Sequence, residues 1–99
     1  MEKIEILVIC RHKEILQTII RLLNSNSEWQ ATGTTTDLEA IAAFNATNFR
    51  VVLLGSGIED ESETKLCNHF KTLNPKIRIV QHYGGGSGLL SAEIYEAMK

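Results

Sequence analysis

Three side chains of metal-ligand type stand at the ends of apolar segments. Cys10 and His12 follow an apolar run that begins at Ile4, and His82 follows the run at residues 77–81. One thiolate with two imidazoles is a ligand set that suits Zn²⁺. The spacing supplies only Cys-x-His, with no second short ligand pair. We therefore predict a buried cysteine and two surface histidines, and no metal site.

Cys10 is also a candidate nucleophile. Cations beside a thiol favour the reactive thiolate, and Arg11, His12 and Lys13 follow Cys10 directly. A phosphorylated cysteine also needs a loop of free backbone amides, typically rich in glycine and hydroxyl residues. Residues 11–16 contain none of these. We keep a Cys10-dependent phosphocarrier as the alternative function.

A glycine-rich stretch follows the last apolar segment and consists of Gly84, Gly85, Gly86, Ser87 and Gly88. Such a turn, between a strand and a helix, can bind an anion through its amides. It matches neither the dinucleotide-binding motif nor the P-loop. We predict a hinge that leads into a closing helix, with anion binding as the alternative.

An acidic run occupies residues 59–63. Carboxylates could bind a cation there, but acids in the first turn of a helix also stabilise its dipole. The pattern predicts a helix start, with Asp60 as N-cap and Glu63 as its capping-box partner.

Four strand-like segments alternate with four amphipathic ones along the chain, and the second of these strands, at residues 29–34, is polar enough for an edge strand. The segment that ends in Leu54 is apolar throughout, which is typical of a strand buried on both faces. Right-handed crossovers then give a four-stranded parallel sheet of order 2-1-3-4, with helices on both faces. We predict an α/β, flavodoxin-like three-layer sandwich, with residues 1–99 as a single domain.

In open α/β sheets, chemistry gathers at the carboxyl ends of the central strands. Gly55 holds that position after the third strand, and it offers no side chain.

The overall charge argues against several classes of partner. The net charge of −2 provides no electrostatic surface for nucleic acid or for an anionic membrane. No apolar stretch approaches the length of a membrane span, and no signal peptide is visible. We expect a cytoplasmic protein that binds other proteins and needs no cofactor.

The chain resembles the receiver domain of two-component response regulators over about residues 4 to 82. The resemblance rests on residues 6–9, the helix at residues 15–23, residues 28–41, and the run at residues 51–54. It implies a signalling module that contacts protein partners.

The family's chemical residues are replaced in this chain. Receivers carry a Mg²⁺-binding acidic pair after the first strand, where this chain has Cys10 and Arg11. Gly55 stands at the position of the phospho-accepting aspartate, and His82 at that of a hydroxyl residue. The family's lysine after a fifth strand has no counterpart, because the chain is expected to stop before that strand. The resemblance thus implies a degenerate, non-catalytic receiver that is not phosphorylated.

Cys10 after a first strand is also similar to the IIB subunits of sugar phosphotransferase systems, which are phosphorylated on cysteine. Their phosphate loop is rich in glycine, serine and threonine, unlike residues 11–16 here. This similarity supports only the alternative function.

Without a fifth strand, the fourth strand becomes an edge of the sheet. An edge with apolar side chains and unpaired backbone groups tends to pair with another chain. We expect a homodimer joined through the fourth strand and the last helix, with that helix swapped over the glycine hinge as one form of it.

Overall fold

A computed structural model describes residues 3–55 and 57–81, together with Ile94 and Glu96. Its strands are β1 (Ile4–Ile9), β2 (Trp29–Thr34), β3 (Val51–Leu54) and β4 (Arg78–Gln81). Its helices are α1 (Lys13–Asn24), α2 (Asp37–Ala46) and α3 (Asp60–Leu73). The four strands form one parallel sheet in the order β2-β1-β3-β4, as the sequence predicted.

The register of the sheet brings the four carboxyl ends into one row. Ile9 pairs with Thr34 on one side and with Leu54 on the other, and Leu54 pairs with Gln81. Residues that follow these four positions therefore start from neighbouring points on one edge of the sheet.

Two apolar cores lie on opposite faces of the sheet. On one face, α1 packs Leu16, Ile19 and Leu23 onto inward-facing strand residues such as Val8 and Leu53. Ile94 is fully buried in this same core. On the other face, α2 and α3 pack against the sheet through Ala40, Phe44, Leu66 and Phe70. The strand residues alternate between the two cores, which is why β1 and β3 are apolar throughout.

The start of α2 is a complete capping box, formed by Thr36 and Glu39. The hydroxyl oxygen of Thr36 accepts from the amide of Glu39, and the carboxylate of Glu39 accepts from the amide of Thr36. This arrangement satisfies two amides that the helix itself leaves unpaired.

The prediction for the start of α3 was wrong by one residue. Glu59, not Asp60, is the N-cap, with extended backbone and no capping bond from its side chain to the helix amides. The Glu59 carboxylate instead accepts from the hydroxyl of Ser62, at 3.2 Å. Asp60 and Glu63 are first-turn residues, where their charges still favour the helix dipole.

In the part of the chain described, no helix has the length and apolar character needed to cross a membrane. His82, the glycine stretch at residues 84–88 and most of the expected closing helix lie outside the described residues.

Candidate functional site at the carboxyl edge of the sheet

The carboxyl edge of β1 and β3 brings Cys10 and Gly55 side by side. Each follows the last residue of its strand, and Ile9 pairs with Leu54 in the sheet. The amide of Gly55 donates to the carbonyl of Ile9, with N and O 2.7 Å apart, and so continues the pairing beyond β3. The predicted strand order, with the first strand beside the third, is confirmed, and this order makes the two positions neighbours.

The side chain of Cys10 fills the space in front of Gly55. Cys10 is fully buried, and its thiol donates to the carbonyl of His12 at 3.5 Å. A Cβ added to Gly55 would lie 2.9 Å from the Cβ and 3.2 Å from the Sγ of Cys10. Real Cβ atoms do not come within 3.0 Å of another heavy atom, so position 55 has no room for a side chain unless Cys10 moves.

Arg11 crosses the edge of the sheet towards α2. Its guanidinium donates to the carbonyl of Thr35 at 2.9 Å and forms a hydrogen-bonded ion pair with the carboxylate of Asp37. A second carboxylate, that of Glu59, lies 3.8 Å from the same guanidinium. One cation is therefore shared between the β2–α2 turn and the start of α3.

The turn after β3 passes close above the turn after β1. Gly57 has a φ of +87°, a backbone conformation that favours glycine. A Cβ at this position would also lie 2.9 Å from the Cβ of Arg11 and 3.2 Å from the Nε2 of His12. The two turns are in contact because a glycine stands at each point of closest approach.

Among the described residues, no three His, Cys, Asp or Glu side chains are grouped so that they could hold a metal ion. Two carboxylates at this edge, those of Asp37 and Glu59, are already neutralised in part by Arg11. Of the three side chains of metal-ligand type, Cys10 is buried and His12 is exposed, while His82 lies outside the described residues.

Glu39, beside this edge, has a pKa lowered from its usual value. The largest cause is the hydrogen bond from the Thr35 amide, followed by bonds from the hydroxyls of Thr35 and Thr36. These donors stabilise the ionised carboxylate. Glu39 therefore adds a fixed negative charge to the start of α2.

Sequence reasoning identified Arg11, as a cation beside Cys10 and at the position of a receiver's acidic pair, but missed its two partners. Glu59 was interpreted as part of an acidic run that starts a helix, and no contact of Arg11 with Glu59 or Asp37 was predicted. The one available signal was topological, since the turns after β1, β2 and β3 meet at one edge.

Comparison with solved structures finds the same architecture in receiver domains. The two-component transcriptional regulator AraC from Clostridium phytofermentans matches with a TM-score of 0.81 at 12% identity, covering 96% of this chain and 91% of that one. A CheY-like response regulator receiver domain protein from Methanospirillum hungatei matches with a TM-score of 0.73 at 20% identity, covering 97% and 76%. The signal receiver domain of an HD domain-containing protein from Pseudomonas fluorescens also has a TM-score of 0.73, at 16% identity and with the same coverage.

No protein-family model and no curated protein matches the chain. At these low identities the structural matches define the fold, which is that of the CheY-like receiver domain. The similarity predicted from the sequence is confirmed at this level.

Proposed function

We propose that this chain is a non-catalytic, receiver-like signalling or protein-interaction module that is not phosphorylated. The observation that carries the proposal is the packing of Cys10 against Gly55. The position where a receiver presents its acceptor carboxylate has no side chain, and the adjacent thiol occupies the space that one would need. A phosphoryl acceptor is therefore missing both chemically and sterically.

Arg11 supports the same proposal because it disfavours the divalent cation that phosphorylation of a receiver requires. A divalent cation at this edge would need several oxygen ligands free to bind it. The guanidinium of Arg11 already engages the carbonyl of Thr35 and the carboxylate of Asp37, and its charge opposes a second cation. We infer that this ion pair fixes the edge in one arrangement without a metal.

Incubation with acetyl phosphate and Mg²⁺, followed by intact-protein mass spectrometry, tests this function. We expect no added phosphoryl group, because no carboxylate is placed to accept one. A receiver domain that carries the acidic pair and the acceptor aspartate serves as the positive control. An acyl phosphate that disappears on treatment with hydroxylamine would contradict the proposal.

The alternative, a phosphocarrier that uses Cys10, makes a different prediction. Its cysteine would have to meet a phosphoryl donor in the folded protein, yet Cys10 is fully buried. In a Cys67→Ser variant, which leaves Cys10 as the single thiol, we expect a thiol probe to react much more slowly than with a free cysteine. Fast labelling at neutral pH would favour the phosphocarrier.

We further propose that the module forms a homodimer through β4 and the last helix. Within the described residues β4 pairs only with β3, and its Ile79 and Val80 remain half-buried. An edge of this kind is suited to pairing with a second copy around a two-fold axis. The glycine stretch at residues 84–88 would serve as the hinge if the last helix is exchanged.

Hydrogen exchange at low and high protein concentration tests the dimer. The amides of β4 should become more protected as concentration rises, and light scattering should give twice the monomer mass. The amides of β2, at the other edge of the sheet, serve as the internal control and should not change. A monomer at high concentration would rule the dimer out.

We propose that residues 1–99 act as one domain, in the cytoplasm, through protein contacts rather than through nucleic acid or a membrane. His82 would then occupy the position of the receiver's hydroxyl residue without serving in catalysis.

A further inference from the structure

The opposite edge of the sheet, where the strands begin, carries a basic groove. It has a volume of about 750 Å³ and lies between the α2–β3 and α3–β4 turns. Arg50 directly precedes β3, Lys76 lies in the turn before β4, and Arg78 is the first residue of β4. The remaining lining residues are neutral: Asn48, Phe49, Leu73 and Asn74.

The cations of this groove have no anionic partner in the described part of the chain. The ion pairs found there involve Arg11 and Lys65, at other places on the surface. Arg50, Lys76 and Arg78 are all exposed. Three like charges around one concavity repel one another, so an anion placed among them would be stabilised.

A neighbouring groove extends the basic surface along the same edge. It has a volume of about 760 Å³, shares Asn48 and Arg50 with the first groove, and adds the exposed Lys3. Glu5 is the one acidic residue that lines it. Four cations therefore surround two adjoining grooves that contain one carboxylate.

The side-chain amides in the groove add neutral donors. The Oδ1 of Asn74 accepts from the amide of Lys76 at 3.2 Å, so the NH₂ group of Asn74 remains available to donate. The two guanidiniums can each bind a phosphate with two parallel hydrogen bonds, a geometry that a lysine ammonium cannot reproduce.

The basic groove continues into a partly apolar one between the ends of α2 and α3, lined by four apolar and four polar residues. This second space has a volume of about 330 Å³, shares Asn48, Phe49, Leu73 and Asn74 with the basic groove, and includes Phe44. Leu73, the last residue of α3, is 53% exposed and lines both grooves. An aromatic ring would cover it.

We propose that this groove binds a phosphorylated small molecule that also carries an aromatic ring, with nucleotides as the ligand class. The phosphates would lie among Arg50, Lys76 and Arg78, and the ring against Leu73. The carboxyl edge is unsuited to the same ligand, because Glu59, Asp60 and Glu61 surround it with exposed negative charge. The negative end of the α3 dipole lies at the basic edge and will keep the affinity modest.

Calorimetric titration of the full chain in Mg²⁺-free buffer tests the proposal, with ATP and inorganic tripolyphosphate as probes. We expect both to bind, and ATP about ten-fold more tightly because only ATP has a ring. Arg50→Gln and Arg78→Gln should each weaken ATP binding by about ten-fold. Lys71→Gln, which removes an exposed cation outside the groove, is the matched control and should change nothing.

A Leu73→Ser variant separates the two halves of the groove. It should lower the affinity for ATP to that for tripolyphosphate and leave the affinity for tripolyphosphate unchanged. All four substituted side chains are exposed, so each variant should unfold at the wild-type temperature without ligand.

Three results would overturn the proposal. The first is no heat of binding for ATP at millimolar concentration. The second is unchanged ATP affinity in both arginine variants. The third is a hexaglutamate peptide that binds as tightly as ATP, which would mean that the groove attracts any acidic chain and does not recognise phosphate.

Discussion

The Cβ of Cys10 lies so close to the backbone of Gly55 that a side chain at position 55 would stand only 2.9 Å from it. The two residues are neighbours because Ile9 and Leu54, directly before them, pair in the sheet. A small residue at position 55 is therefore a packing requirement of this core. An aspartate introduced there would meet a steric obstacle before any chemistry could begin.

A Gly55→Ala substitution should lower the free energy of unfolding by about 1–3 kcal/mol, because a methyl group is forced into a filled space. The cost should shrink by about 1 kcal/mol or more in a Cys10→Gly background, since that change removes the Cβ that is met. It should persist in a Cys10→Ala background, which keeps the Cβ. Urea unfolding of the three backgrounds, each with and without Gly55→Ala, measures the coupling. Equal costs in the glycine and wild-type backgrounds would show that the contact does not limit position 55.

Replacing Arg11 by methionine should destabilise the protein by about 1–2 kcal/mol. The side chains of Arg11 and Asp37 are 21% and 34% exposed, so their ion pair is only partly screened by water. The matched control is Lys65→Met, which removes the pair with Glu61, where both side chains are at least 74% exposed. That change should cost no more than about 0.5 kcal/mol.

Salt provides a second readout on the Arg11 variant. High salt should make the small loss of stability in Lys65→Met smaller still. It should reduce the loss in Arg11→Met only in part, because a partly buried ion pair is less screened. If both variants lose the same stability, Arg11 does not connect the turns as the structure indicates.

Glu39 should contribute stability that depends on pH. Its pKa is lowered from 4.5 in the folded state by hydrogen bonds from Thr35 and Thr36. The contribution is therefore complete above about pH 4.5 and is lost as the pH falls through the lower folded-state pKa. The unfolding temperatures of the wild type and of Glu39→Gln should differ more at pH 7 than at pH 3. A Glu28→Gln variant controls for general acid effects, and a constant gap across this range would contradict the assignment.

Cys67 should react slowly with alkylating reagents at mildly alkaline pH. Burial raises the pKa of its thiol above 9.0, and the nearby Glu63 carboxylate raises it further, while Lys71 lowers it. Glu63→Gln should therefore speed alkylation at pH 8.5, and Lys71→Gln should slow it. Peptide mapping by mass spectrometry distinguishes Cys67 from Cys10. Because ionisation of Cys67 costs more in the folded than in the unfolded chain, the protein should keep its full stability below pH 9.0 and lose stability as the pH rises through the folded-state pKa. Variants that alter the rate in the same direction would disprove the electrostatic assignment.

The strands and helices were readable from the sequence because their signals are local. The apolar run that ends in Leu54 and the capping pair of Thr36 and Glu39 each lie within a few residues. The start of α3 was misplaced because Glu59, Asp60 and Glu61 are adjacent acids with nearly equal preference for a first turn. The backbone conformation that the turn after β3 imposes decides between them, and composition does not encode it.

The site was harder to predict because its decisive contacts are distant in sequence. Arg11 and Asp37 are 26 residues apart, and no local pattern relates them. The order of the strands predicts that the turns holding Arg11 and Asp37 meet, and that Cys10 lies near Gly55. It does not predict which way the side chain of Arg11 extends, or that Cys10 leaves no free volume.

The burial of Ile94 joins segments that are made at different times during synthesis. Ile94 shares a core with Ile6 and Val8, which lie more than 80 residues earlier in the sequence. The face of the sheet that α1 covers therefore stays incomplete until Ile94 has been made, whereas the described residues of the core between α2, α3 and the sheet all lie within or before β4. Because closing such a long loop is slow, we expect the α2–α3 side to become ordered first. Until Ile94 arrives, the nascent chain would expose apolar strand residues of the kind that chaperones bind.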